Sequence, residues 1–159
     1  MIVTRQFRDK KGFMEKRIIK GDYGLVVEWW HNDMLCIIRG SGDMSRAALD
    51  NWGNAVIQSI QTFPEHTSIF LLFDLSSPAQ GFTPYSRSVI DRIANAAPKN
   101  RPIYVGIFMH EGIISRILSF YVNSRNGKNL HLRMFFDEQK TFEWLHLMMR
   151  QHGLLDDEN

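Results

Sequence analysis

The residues best suited to chemistry gather in two short stretches. The first runs from Asp74 through Ser76 and Ser77 to Thr83, Tyr85 and Ser86, and offers a carboxylate, four hydroxyls and a phenol. The second is His110-Glu111, just past the apolar run IYVGIF. An imidazole beside a carboxylate can move protons. A hydroxyl at a helix start can take a phosphoryl group, whose charge the helix N-terminus favours.

Neither stretch completes a catalytic constellation. No G-x-x-x-x-G-K-[ST] or G-x-G-x-x-G follows an apolar run, and Gly40-Ser41-Gly42 reads as a tight turn. There is no G-x-S-x-G elbow, since Gly112-Ile113-Ile114-Ser115 puts its serine inside a helix. Asp74-Leu75-Ser76-Ser77 lacks the Asp-x-Asp spacing of a metal-dependent aspartyl-phosphate enzyme, and only Asp43 occupies a comparable place. The six histidines show no His-x-x-x-His or carboxylate-clustered spacing, so no metal site and no cofactor are expected. Cys36, the one cysteine, lies in the apolar run MLCII and reads as buried filler. His110 and Glu111, with Asp74 and Ser86, are the only groups that could converge at one sheet edge, where ligands of open α/β sheets bind. Polar residues at a strand-to-helix turn are otherwise simply loop residues.

These side chains need elements to hold them, and the periodicity supplies a regular series. YGLVVEWW, the turn His31-Asn32-Asp33 and MLCIIRG read as two strands of a hairpin. Ser41, Asp43 or Ser45 can cap a helix with apolar positions at Leu49, Trp52, Val56, Ile60 and Phe63. Gly53 weakens that helix by roughly 1 kcal/mol relative to alanine. SIFLLFD is apolar on both alternating faces, as in a central parallel strand covered on two sides. Thr83-Pro84 opens the next helix, with an inner face of Ser86, Val89, Ile90, Ile93 and Ala97. IYVGIF, a helix through Ile113, Ile114, Ile117, Leu118 and Tyr121, the strand LHLRMFF and a helix capped by Asp137 complete the series. The predicted fold class is α/β: a mixed, mostly parallel sheet flanked by about four helices, in the order β-β-α-β-α-β-α-β-α.

Composition agrees with one globular domain: 159 residues, 44% hydrophobic and 23% charged. The reading divides the chain into a basic arm over 1–22, a single domain over 23–152 and an acidic tail over 153–159. Residues 1–20 carry seven Lys/Arg against two acids, a run more often solvated than phosphate-binding. Phe7, Phe13, Met14, Ile18 and Ile19 would suit an interfacial segment, but the helical period is poor and an edge strand or docked arm fits better. No apolar span reaches the ~18 residues of a transmembrane helix. With one cysteine and no leader-like stretch, the expected location is cytoplasmic. Trp29, Trp30, Phe70 and Phe73 sit in strands without interleaved Lys or Arg, so they read as core rather than as a nucleic-acid stacking platform.

The hairpin, the strand ending Phe73-Asp74-Leu75-Ser76, the helix-opening loop and the closing FFDEQKTFEWL resemble STAS-type domains. The resemblance covers about residues 23–150 and is nearest to the bacterial branch similar to the sporulation anti-sigma-factor antagonist. It implies a noncatalytic regulatory or protein-interaction module, with a protein partner expected and a homodimer as a candidate assembly. In that family a serine in an Asp-Ser-Ser-Gly run at a helix start is phosphorylated. Here the matching Phe82–Ser88 lacks that run, leaving Thr83 and Ser86 as the candidate phosphoacceptors. Asp74, Ser76, Ser77, Tyr85, His110 and Glu111 form the candidate loop or ligand surface. The alternative is a small apolar-ligand or lipid-binding domain of the same fold, with Met and Phe as adaptable lining.

Overall fold

The computed structural model describes residues 2–9 and 12–156, with side chains from Lys16 onward. Its elements in chain order are β1 (Ile2–Asp9), β2 (Gly12–Lys20), β3 (Val26–Trp30), β4 (Leu35–Arg39), α1 (Arg46–Thr62), β5 (Ile69–Asp74), α2 (Pro84–Ala96), β6 (Ile103–Phe108), α3 (Ile113–Arg125), β7 (Leu130–Phe135) and α4 (Glu138–Gln151). The fold is α/β with a mixed sheet and four helices, as the periodicity predicts. Four strands rather than two precede α1, because β1 and β2 come from the segment read as a basic arm. That segment hides its strands because its charged residues do not alternate cleanly with apolar ones. Lys16 and Arg17 instead lay their cations over Trp30 and Trp29, at 4.6 and 5.2 Å from the ring centroids. The side chains of residues 1–15 and the tail residues 157–159 lie outside the described residues.

The strands lie in the sheet in chain order, antiparallel from β1 to β4 and parallel from β4 to β7. Each parallel step moves the same way across the sheet. Right-handed crossovers therefore put α1, α2 and α3 on one face. There Val56, Ile60, Val89, Ile93, Leu118 and Val122 pack against Ile38, Leu71, Phe73, Val105 and Ile107. The other face is covered by α4, whose Leu145 and Met149 pack on Leu35, Ile37, Phe70 and Leu72. Each alternating strand residue thus meets a helix, which explains why SIFLLFD is apolar throughout.

The helix starts follow the capping chemistry. Ser45 caps α1 by accepting from the Ala48 amide, and Asp137 caps α4 by accepting from the Lys140 amide. Gly53 has a packing reason: a Cβ there would stand 2.6 Å from Val89 Cγ1, so its absence lets α1 and α2 approach closely. At the end of α4, His152 lies between Ser68 Oγ (3.1 Å) and Tyr104 Oη (2.9 Å), and Leu154 and Leu155 pack on the second core. The outer edge of β7 is occupied by its own preceding loop. Asn126 accepts from the Leu132 amide at 2.6 Å and donates to the Leu132 carbonyl at 3.1 Å, and the Gly127 amide donates to the Leu130 carbonyl.

Candidate functional site

Every hydroxyl of the Asp74–Ser86 stretch has structural work. Asp74 ends β5 with its side chain towards the α4 face, where it pairs with Arg39. Its other oxygen accepts from the Ser76 amide at 3.0 Å and the Ser76 hydroxyl at 2.6 Å. Burial alone would push the Asp74 carboxyl up, but the two Ser76 donors and Arg39 outweigh it, and its pKa lies below the usual carboxylate range. Ser77 donates to the Ser41 carbonyl at 2.8 Å, joining the loop after β5 to the loop after β4. Gly42 sits against this serine with φ +83°, and a Cβ there would fall 2.2 Å from Ser77 Oγ.

Thr83 and Ser86 cap α2 reciprocally. The Ser86 amide donates to Thr83 Oγ1 at 3.1 Å, and the Thr83 amide donates to Ser86 Oγ at 2.8 Å. The Ser86 hydroxyl then donates to the Thr83 carbonyl, and the residue is buried. A kinase could reach it only by unmaking the helix start. Tyr85 donates to Asp50 on α1 at 2.8 Å beneath the guanidinium of Arg46, and its hydroxyl pKa is raised, first by that carboxylate acceptor.

His110 and Glu111 are exposed just ahead of α3, with the His110 ring edge-on to Phe108. Asp74 and Ser86 are committed elsewhere, to Arg39 and to the α2 cap. Asp74 belongs to an ion chain on the α4 face: Lys16 to Glu28 (2.7 Å), Glu28 to Arg39 (3.3 Å), and Arg39 to Asp74 and Glu138. Burial raises the Glu28 carboxyl, yet the Lys16 hydrogen bond and the Arg39 charge bring its pKa below the ordinary value. Cys36 is fully buried, with its thiol pKa pushed up to about 12 by burial. Among the described residues, no three His, Cys, Asp or Glu side chains converge as a metal-binding group.

The concavities lie elsewhere. A cavity of about 90 Å³ sits between the sheet, α2 and α3, enclosed by Ile93, Val105, Leu118 and Val122. A second, of about 60 Å³, shares Trp52, Leu75, Ile90 and Leu118 with it and opens at the carboxyl ends of the strands beside Ser41, Asp43 and Gly81. A third, about 480 Å³, is an open hollow at the opposite end, beside Phe63, His66 and Arg101. Asp74, His110 and Glu111 line none of these three. The α2–α3 seam over the apolar cavity is closed by Asp91, which accepts from Tyr121 Oη and Arg125 Nη2, each at 2.5 Å.

Two surface features go beyond the sequence reading. Ile113, Ile117 and Phe120 are 76%, 49% and 85% exposed, and their spacing of four and three residues forms one stripe on the outer face of α3. Ile113 and Ile117 are indistinguishable by sequence from inner-face residues, because α3 is apolar on both sides. His31 and His146, separated by 115 residues, meet at Nε2 to Nε2 with 3.0 Å between them. Comparison of the chain with family models, curated proteins and solved structures finds no match.

Proposed function

We propose that this chain is a noncatalytic binding module that recognises a protein partner through the outer face of α3. The observation that carries this reading is the Ile113-Ile117-Phe120 stripe. Burying a side chain of this size is worth about 1.5–3 kcal/mol, and a helix apolar on both faces at a surface is what a partner would cover. His110 and Glu111, exposed at the head of α3, give the stripe a polar rim. The module would act as the STAS-type antagonists that the sequence resembles are expected to act, by binding. A hydroxyl switch at Thr83 or Ser86 is disfavoured because both serve the α2 cap.

A photo-crosslinking amino acid at position 120, followed by mass spectrometry of the adduct, tests the proposal. The expected result is a covalent adduct with one protein whose purified form binds the chain, and Phe120→Asp should weaken that binding by at least about tenfold, as for a central anchor. Crosslinks confined to lipid, or unchanged affinity in Phe120→Asp, would overturn it. An adduct with a second copy alone would make the partner this chain itself.

The cavity favours a second reading, a site for a small apolar ligand. About 90 Å³ exceeds the space one water needs, but apolar walls give water no partners. Native mass spectrometry should then show a co-purifying apolar mass, lost in Val122→Trp; its absence from independent preparations would remove this reading.

A further inference from the structure

The contact between His31 and His146 suggests a site that the Ile113-Ile117-Phe120 stripe does not involve. His31 opens the β3–β4 turn and His146 lies on α4. Their Nε2 atoms are 3.0 Å apart, with ring centroids at 4.9 Å and planes at 83°. Aromatic packing fixes both rings: Phe142 stacks on Trp30 at 5.3 Å, His31 leans on Trp30, and His146 leans on Phe142. The turn that presents His31 is a tight hairpin connection, with His31, Asn32 and Asp33 at left-handed φ of 53°, 56° and 63° in succession, as short β-hairpin turns require. Both histidines are half-buried, which leaves room for water beside them.

We propose that His31 and His146 form a two-imidazole site for a divalent transition-metal ion, Cu²⁺ or Ni²⁺, which ties the β3–β4 turn to α4. At metal–nitrogen distances of about 2.0–2.1 Å, two nitrogens 3.0 Å apart subtend roughly 95° at the ion. That is the cis angle of a tetragonal or octahedral site, and imidazole suits copper and nickel. Water completes the coordination. Without metal, the same contact is an N–H···N hydrogen bond. On binding, the donor imidazole moves its proton to Nδ1, so that both Nε2 lone pairs face the ion.

The test titrates the full chain, free of any affinity tag, with CuCl₂ and NiCl₂ by calorimetry, and records the copper electron paramagnetic resonance spectrum of the one-to-one complex. One saturable site with superhyperfine splitting from two imidazole nitrogens is expected. His31→Gln and His146→Gln should each weaken binding at least tenfold and leave one nitrogen or none. No saturable binding by the parent chain, or unchanged affinity in His146→Gln, would overturn the proposal. The nitrogen count in the parent spectrum decides the matter even where a variant fails to fold: fewer than two imidazoles would refute the site.

Discussion

Single side chains carry more structural duty here than their chemistry first suggests. The most constrained position is Gly42, left-handed and pressed against Ser77 Oγ. Gly42→Ala adds both a conformational cost and an overlap, and should lower the unfolding free energy by about 2 kcal/mol or more, as read by urea denaturation. Adding Ser77→Gly should recover only the part due to overlap, because φ remains unfavourable. If Gly42→Ala unfolds at the parent urea concentration, the two loops pack more loosely than the Gly42–Ser77 approach implies. The hydroxyls of Ser76, Ser77, Thr83 and Ser86 show why polar residues after a strand are ambiguous in sequence. A serine that satisfies a loop amide and a serine that accepts a phosphate sit in the same kinds of places.

At the level of elements, the α2–α3 seam is held by one carboxylate with two donors, Asp91 with Tyr121 and Arg125. Asp91→Ala should leave α1 and the sheet intact while raising amide hydrogen exchange in α3 severalfold, since the apolar cavity beneath gives that helix few other contacts. Equal protection of α3 in parent and variant would show that packing alone holds it. Much of this level was legible: the β3–β4 hairpin, three side-chain caps and the strands from β5 onward follow from alternation, capping residues and turn chemistry. Two features were not. β1 and β2 were hidden because charged and apolar residues do not alternate cleanly there; towards the end of β2 the cations are matched across strands, Lys16 with Glu28 and Trp30, Arg17 with Trp29, a pairing invisible along one strand. The outer stripe of α3 was hidden because periodicity finds an inner face but cannot tell which of two apolar faces stays uncovered. His31 and His146 illustrate the same limit, since a sequence separation of 115 lies between two rings that only the docking of α4 brings together.

For the molecule as a whole, α4 stands alone on its face of the sheet, and the ion chain from Lys16 to Glu138 joins its first turn to four strands. The folded state holds Asp74 and Glu28 below their ordinary pKa, so it binds fewer protons than the unfolded chain as acid is added. Their contribution is complete above the ordinary carboxylate range, near pH 4–5, and is lost as pH falls through the lowered values. Asp74→Asn should cost about 1.5–3 kcal/mol at pH 7, the range for a hydrogen bond to a charged group, and should flatten the loss of stability between pH 5 and 3 in acid titrations followed by circular dichroism. A parallel acid limb in both proteins would place the effect elsewhere. The strand order carries a different consequence. A sheet laid down in sequence can keep adding strands, and at β7 the next one would be another molecule. Asn126 imitates that strand, filling the Leu132 amide and carbonyl with a side chain. It acts as a stopper against polymerisation: Asn126→Ala should fold with little loss of stability yet form thioflavin-positive aggregates at concentrations where the parent chain stays dispersed.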